Sequence, residues 1–160
     1  MDAHLEFDSR SCASRPVITA DPNANLLRKI TKEPIGVILA LVPWNYPLLC
    51  AVNSVVAAIL CGNSVLLKHS DRTPAAADWF EKTFVAAGAP KGLVAAFHAD
   101  HPLVAQTIKN PAIAYVQFTG SVAGGRAVYK ATAETRFIDV VSWGRAPMPF
   151  ASLRDEFLRL

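Results

Sequence analysis

The stretch EPIGVILALVPWNYPLLCAVNSVVAAILCGNSVLLKHSDRTP, residues 33–74, decides the fold. Ile35 to Val42 is a continuous aliphatic run without polar alternation, the pattern of a strand covered on both faces. Pro43 and Pro47 bracket Trp44, Asn45 and Tyr46, which stiffens the backbone and delays any helix until Pro47 is passed. Leu48 to Cys61 is apolar nearly all round, and Gly62-Asn63 is a helix stop. Ser64 to Lys68 reads as a second strand, and Lys68, His69 and Asp71 form its polar tip. Strand, polar tip, buried helix, strand and polar tip make half of a doubly wound sheet, which binds ligands beyond the carboxyl ends of its strands.

Farther along, Thr73 and Pro74 suit an N-cap and a first helical position, and Ala77, Phe80, Phe84 and Ala87 keep helical spacing until Gly88. Leu93 to Phe97 predicts a third strand. Asp100 caps a short helix that Asn110-Pro111 ends. Ile113 to Phe118 predicts a fourth strand, Gly120-Ser121 opens a helix to about Glu134, and Phe137 to Val141 fits a fifth strand. The expectation is an α/β protein with a Rossmann-like parallel sheet of about five strands and flanking helices. Residues 1–32 are turn-rich and unassigned, with only Leu26 to Ile30 able to pair as a short strand. Residues 33–141 form the domain, and residues 142–160 a divergent tail.

A length of 160 residues suffices for one domain with a real core. At 52% hydrophobic and 18% charged the composition is globular, and the net charge of +3 is spread without a basic patch, so no nucleic-acid partner is expected. Leu48 to Cys61 is too short to span a membrane and carries Asn53 and Ser54. Met1 to Phe7 has acids and no apolar run, unlike a signal peptide. Three cysteines without metal spacing fit a reducing compartment, and a cytoplasmic protein is expected. No metal site is expected either; His98 and His101, three apart without acidic or cysteine company, read as surface residues.

Two places carry chemistry on the residues alone. Gly120 and Ser121 sit where a strand turns into a helix, whose free N–H groups and partial positive charge suit a pyrophosphate. Gly120 permits close backbone approach, and Ser121 can cap the helix or bond a phosphate oxygen; an ordinary capped helix is the plainer alternative. Gly124 reads as an extra glycine that loosens this helix. Asn45, fixed between two prolines, can donate its amide to a developing oxyanion, or can simply bond its own backbone in a turn.

The motifs PIGV, PWNYP, GN after the first helix, LLKHS followed by RTP, and FTGS at Phe118 to Ser121 occur together over about residues 33–141. In that order and spacing they resemble the aldehyde dehydrogenase superfamily. The resemblance implies a fragment of that fold and NAD-dependent oxidation of an aldehyde to a carboxylic acid. It gives Lys68 and Asp71 the hydroxyls of the adenosine ribose, and it places the backbone of Val42 and Trp44 beside that ribose. A solvated charged loop at Lys68 and Asp71, and a buried aromatic at Trp44, are the bland alternatives. An acid at Asp71 repels a 2′-phosphate, which favours NAD over NADP, although Asp71 is one methylene shorter than the family's frequent Glu and Arg72 is adjacent. Gly125 matches a family glycine in the turn that follows.

Asn45 matches the family's oxyanion-stabilising asparagine. The catalytic cysteine and glutamate have no match here: no Glu-Leu-Gly-Gly-Lys-like segment follows Val141, and Cys12, Cys50 and Cys61 are poorly placed. The chain is therefore expected to be truncated and inactive by itself, taking an aldehyde only if another half is supplied, with oligomerisation open. A non-catalytic dinucleotide-binding or interaction module, or an inactive remnant, is the alternative. The ending SWGRAPMPFASLRDEFLRL suggests a change of reading frame near Val141, or else a short terminal helix built on Leu153, Phe157 and Leu160.

Overall fold

The computed structural model describes residues 33–133 and 139–140. Nine elements follow in order: β1 (Val37–Val42), α1 (Pro47–Leu60), β2 (Ser64–His69), α2 (Ala75–Ala86), β3 (Val94–Ala96), α3 (His101–Ile108), β4 (Ile113–Phe118), α4 (Val122–Thr132) and β5 (Asp139–Val140). The strands form one sheet in the order β3-β2-β1-β4-β5, and every pairing is parallel. The expected α/β class and parallel sheet are what the chain adopts. The proposed strand at Leu26 to Ile30, Cys12 and the tail after Val141 lie outside the described residues.

The apolar run of β1 is explained by its central place. Along β1, Ile38, Ala40 and Val42 pack with Val65 and Leu67 of β2 against Ala51, Val55 and Ala58 of α1 and Ala77 and Phe80 of α2. Leu39 and Leu41 point the other way, into a second cluster with Val104, Ile108, Val116 and Val128. Side chains alternate along a strand, so one uninterrupted sequence feeds both cores.

Boundaries move for local reasons. β1 starts at Val37, two residues after the expected Ile35. Gly36 adopts φ 121°, and the N–H groups of Ile35 and Gly36 donate to Asn63 Oδ1 at 2.7 and 3.0 Å instead of to a neighbouring strand. Asn63 Nδ2 donates in turn to the Ala58 carbonyl at 3.2 Å, so one buried side chain ties the approach to β1 to the end of α1. Gly62, at φ 81°, is required beside it; a Cβ there would stand 2.8 Å from Pro34 Cγ.

Thr73 is not the N-cap of α2. Pro74 takes that place in helical conformation without a side-chain cap, and the Thr73 carbonyl, not its hydroxyl, accepts from the Ala76 N–H. β3 is shorter than expected, and the outward N–H of Ala96 donates to Glu81 Oε2 of α2 at 2.9 Å. Asp100 caps α3 as expected, accepting from the Leu103 N–H at 2.9 Å. Cys61 falls past the end of α1 and is exposed rather than lodged in an apolar helix.

Candidate functional site

Strand order reverses at β1. From it the chain runs outward through β2 and β3, then returns to the other side for β4 and β5. Neighbouring loops after β1 and β4 therefore leave in opposite directions and open a crevice at their carboxyl ends. A cleft of about 730 Å³ occupies that place. Its walls come from the tips of β1, β2 and β4, and its floor from α3 and α4, with Val104, Ile108 and Val128 supplying apolar surface.

Val42, Trp44, Lys68, Asp71, Gly120 and Ser121 all line this cleft. Asn45 is exposed and is not among the lining residues. Ser121 caps α4, its Oγ accepting from the Gly124 N–H at 3.1 Å, while its carbonyl accepts from the Gly125 N–H. The remaining N–H groups of a helix's first turn have no partner within the helix and, with the helix dipole, attract an anion. Gly124 does not merely loosen α4. A Cβ at Gly124 would lie 2.8 Å from the Phe118 ring, and one at Gly120 2.6 Å from it, so both glycines make room for that ring under the turn.

At the tip of β2, successive residues face opposite ways. The Lys68 ammonium lies on the cleft side, bonded to Asp71 Oδ1 at 2.9 Å and to the His69 carbonyl at 3.1 Å. Its side chain is 10% exposed and that of Asp71 74%. The hydrogen bond and charge of Lys68 hold the Asp71 carboxyl below its ordinary range, with a lesser contribution from His101. His69 points to the other face and stacks on Phe80 with ring centroids 6.3 Å apart. It is only 3% exposed, and neither ring nitrogen has a hydrogen-bond partner among the described residues. Burial first, and the neighbouring Lys68 second, push its pKa down, so the ring is kept neutral.

Trp44 is 51% exposed, not the buried aromatic of the bland alternative, and the Arg72 guanidinium sits over its ring at 4.8 Å from the centroid. Arg72, His101 and Thr119 line the cleft as well. Arg72 is legible in the sequence as a neighbour of Asp71, but its seat on Trp44 depends on the tips of β1 and β2 lying side by side. His101 is a surface residue by sequence and enters the site only because α3 begins at the cleft mouth. His98 is exposed and bonds Asp78 at 2.8 Å, and no group of three metal-ligating side chains occurs among the described residues. Burial raises the Cys50 thiol pKa, which suppresses the thiolate. No helix among the described residues is long and apolar enough to cross a membrane.

Fold and cleft together define a doubly wound α/β protein with an open cleft at the switch point of its sheet. The sequence matches the aldehyde dehydrogenase family over residues 9–142, and the chain belongs to that family. It is 37% identical over 131 residues to the succinate semialdehyde dehydrogenase [NAD(P)+] Sad of Escherichia coli K12, covering 82% of this chain and 28% of that relative. A succinic semialdehyde dehydrogenase from Streptococcus pyogenes, solved with NADP+, superposes with a TM-score of 0.68 at 28% identity, covering 71% of this chain and 25% of that one. An NAD-dependent aldehyde dehydrogenase from Sinorhizobium meliloti gives 0.70 at 28% identity, covering 74% and 24%. The chain thus spans about a quarter of the length of these relatives.

Proposed function

We propose that this chain is the dinucleotide-binding portion of an oxidoreductase that oxidises an aldehyde to a carboxylic acid with NAD. One observation carries the reading: three strand tips and the capped start of α4 converge on a single cleft at the switch point of the sheet. Ser121 and the first turn of α4 receive the pyrophosphate. Lys68 and Asp71 hold the adenosine ribose, with the backbone at Val42 and Trp44 beside it, and Gly120 lets the chain approach closely. When bound, the nicotinamide cofactor would supply the hydride acceptor; what these residues supply is position and charge.

Asn45, on the turn after β1, is the group that stabilises an oxyanion when a nucleophile and a base are brought to it. Neither described cysteine serves as that nucleophile. Cys50 has its thiol pKa raised by burial, and Cys61 lies at the end of α1 remote from the cleft, because α1 runs back from the tip of β1 to the start of β2. These two facts favour a second reading for the chain taken alone: it binds dinucleotide without turning over aldehyde.

Calorimetric titration of NAD into the folded chain tests the proposal. Saturable binding that falls with Lys68→Ala and with Ser121→Pro supports it. Binding indifferent to both substitutions, or none at millimolar NAD, defeats it. An NADH assay with a panel of aldehydes separates the two readings, and turnover abolished by Cys50→Ser or Cys61→Ser would restore a nucleophile to this chain.

A further inference from the structure

His69 ends β2, and its ring turns to the face of the sheet opposite the Lys68 ammonium. The ring lies on Phe80 of α2, with the two planes inclined by 27° and the residue only 3% exposed. Trp79 meets the same Phe80 edge-on at 5.9 Å, so three aromatic rings line the seam between strand tip and helix. Neither imidazole nitrogen has a hydrogen-bond partner among the described residues, and the buried Thr73 hydroxyl in the turn that follows makes no bond to it. A neutral ring tolerates such a seat. An imidazolium brings a charge and two N–H donors, which find no acceptor there among the described residues.

The charged groups around the ring do not offset that cost. Lys68 acts on it with like charge, Asp71 is spent on Lys68, and Arg72 stands over Trp44. On α2, Asp78 bonds His98, Glu81 accepts from the Ala96 N–H, and Lys82 is exposed and of the wrong sign. α1 brings to this core the Cys50 thiol, which burial keeps protonated; Val42 of β1, beside His69 in the sheet, and β3 bring no titratable group. Attraction of an imidazolium to the Phe80 face is small against the hydration lost at two unbonded N–H groups. We propose that His69 is a proton-operated latch: its neutral ring holds the tip of β2 against α2, and protonation frees that tip while the rest of the sheet stays folded. The backbone carries the release across the sheet. The His69 carbonyl accepts from the Lys68 ammonium at 3.1 Å, and the following N–H, that of Ser70, ties the tip to the Val42 carbonyl at 2.9 Å. Acid therefore loosens Lys68 in the cleft by acting on the opposite face.

The test is amide hydrogen exchange of the full chain, followed residue by residue by NMR and divided by the intrinsic rate at each pH. It needs no ligand, so its outcome is separate from whether the cleft takes a dinucleotide. The Ser70 N–H should open more readily than the Val65 N–H, which donates to the Leu93 carbonyl at 2.8 Å at the other end of the same strand. The Ser70 opening constant should rise about tenfold from about pH 7.5 to about pH 5.5, because the opened tip takes up one proton at an ordinary imidazole pKa. His69→Leu fills the seat with hydrocarbon, and His69→Gln keeps a neutral polar side chain that cannot titrate. Either variant should abolish the rise, so the failure of one to fold leaves the other to decide. Equal opening constants at Ser70 and Val65 in the wild type would show that acid unfolds the chain as a whole, and would overturn the inference without any variant. So would a flat profile at Ser70, or a rise that persists in His69→Leu or His69→Gln.

Discussion

The two ends of the sheet are built on opposite principles. At the amino ends of the strands, Asn63 spends its side-chain amide on three backbone partners, Gly62 folds tightly under Pro34, and Gly36 turns the chain into β1. At the carboxyl ends, the polar groups line an open cleft, and Trp44, Asp71 and Arg72 are left at the surface. The lower end closes its hydrogen bonds on itself; the upper end keeps donors and charges available. Substitutions at the lower end should therefore change stability without touching recognition, whereas those at the upper end should cost less stability and bear on recognition.

The largest effect is expected from Asn63→Ala. It removes one donor and one acceptor from a buried position and with them the three hydrogen bonds that tie the approach of β1 to the end of α1, at a loss of about 3 kcal/mol. Urea unfolding of wild type and variant measures this. Dinucleotide binding by whatever fraction remains folded should be unaltered, and a change in intrinsic affinity would break the division between the two ends.

His69 tests the border between the ends, because it belongs to the upper tip but is buried in the fold. Its pKa in the folded chain is below the ordinary 6.5, so the unfolded chain takes up the proton first. The stability it allows is complete above about pH 6.5 and falls as the pH drops below that, until the folded state's own lower pKa is passed. Asp71 acts in the same direction at lower pH, since its folded-state pKa is also depressed and the contribution of its pairing disappears on acidification. Melting temperatures between pH 8 and pH 5 should decline in the wild type and stay flatter in His69→Leu, which removes an imidazole without hydrogen-bond partners among the described residues from an apolar seat. Parallel curves would show that His69 is solvated in a way that its burial does not suggest.

The smallest effect on folding is expected from Ser121→Ala. Loss of the cap to the Gly124 N–H should lower stability by about 1 kcal/mol. If the start of α4 receives phosphate, the same substitution weakens NAD binding as well, which would sharpen the contrast with Asn63→Ala. A variant that loses stability and keeps full affinity would make Ser121 a structural cap only.

Most of the element pattern is legible without coordinates, because local chemistry and tertiary packing agree. Ile113 to Phe118 is a strand over the range its apolar run predicts, and Asp100 and Ser121 cap the helices they precede. Legibility stops where a residue's conformation is set by a distant partner. The start of β1 depends on Asn63, which is 28 residues from Ile35 and reads in sequence only as part of a helix stop. Gly124 looks like a defect in α4 until the Phe118 ring is seen beneath it. Of the candidate site, Lys68, Asp71, Gly120 and Ser121 can be found from strand tips, helix starts and family motifs. The neutral pairing of Lys68 with Asp71 and the stacking of Arg72 on Trp44 cannot, since both require the spatial arrangement of the β1 and β2 turns.

Glu81 offers a last consequence. Among the described residues β3 is the outermost strand on its side of the sheet, three residues long, and its Ala96 N–H points away from β2. An unpaired row of such groups is a template on which a strand of another molecule can add. Here the outward N–H is taken by the Glu81 carboxylate, and any strand that docked there would have to displace a charged group held at 2.9 Å. The α2 helix thus carries a gatekeeper against edge-to-edge aggregation, and the brevity of β3 reinforces it.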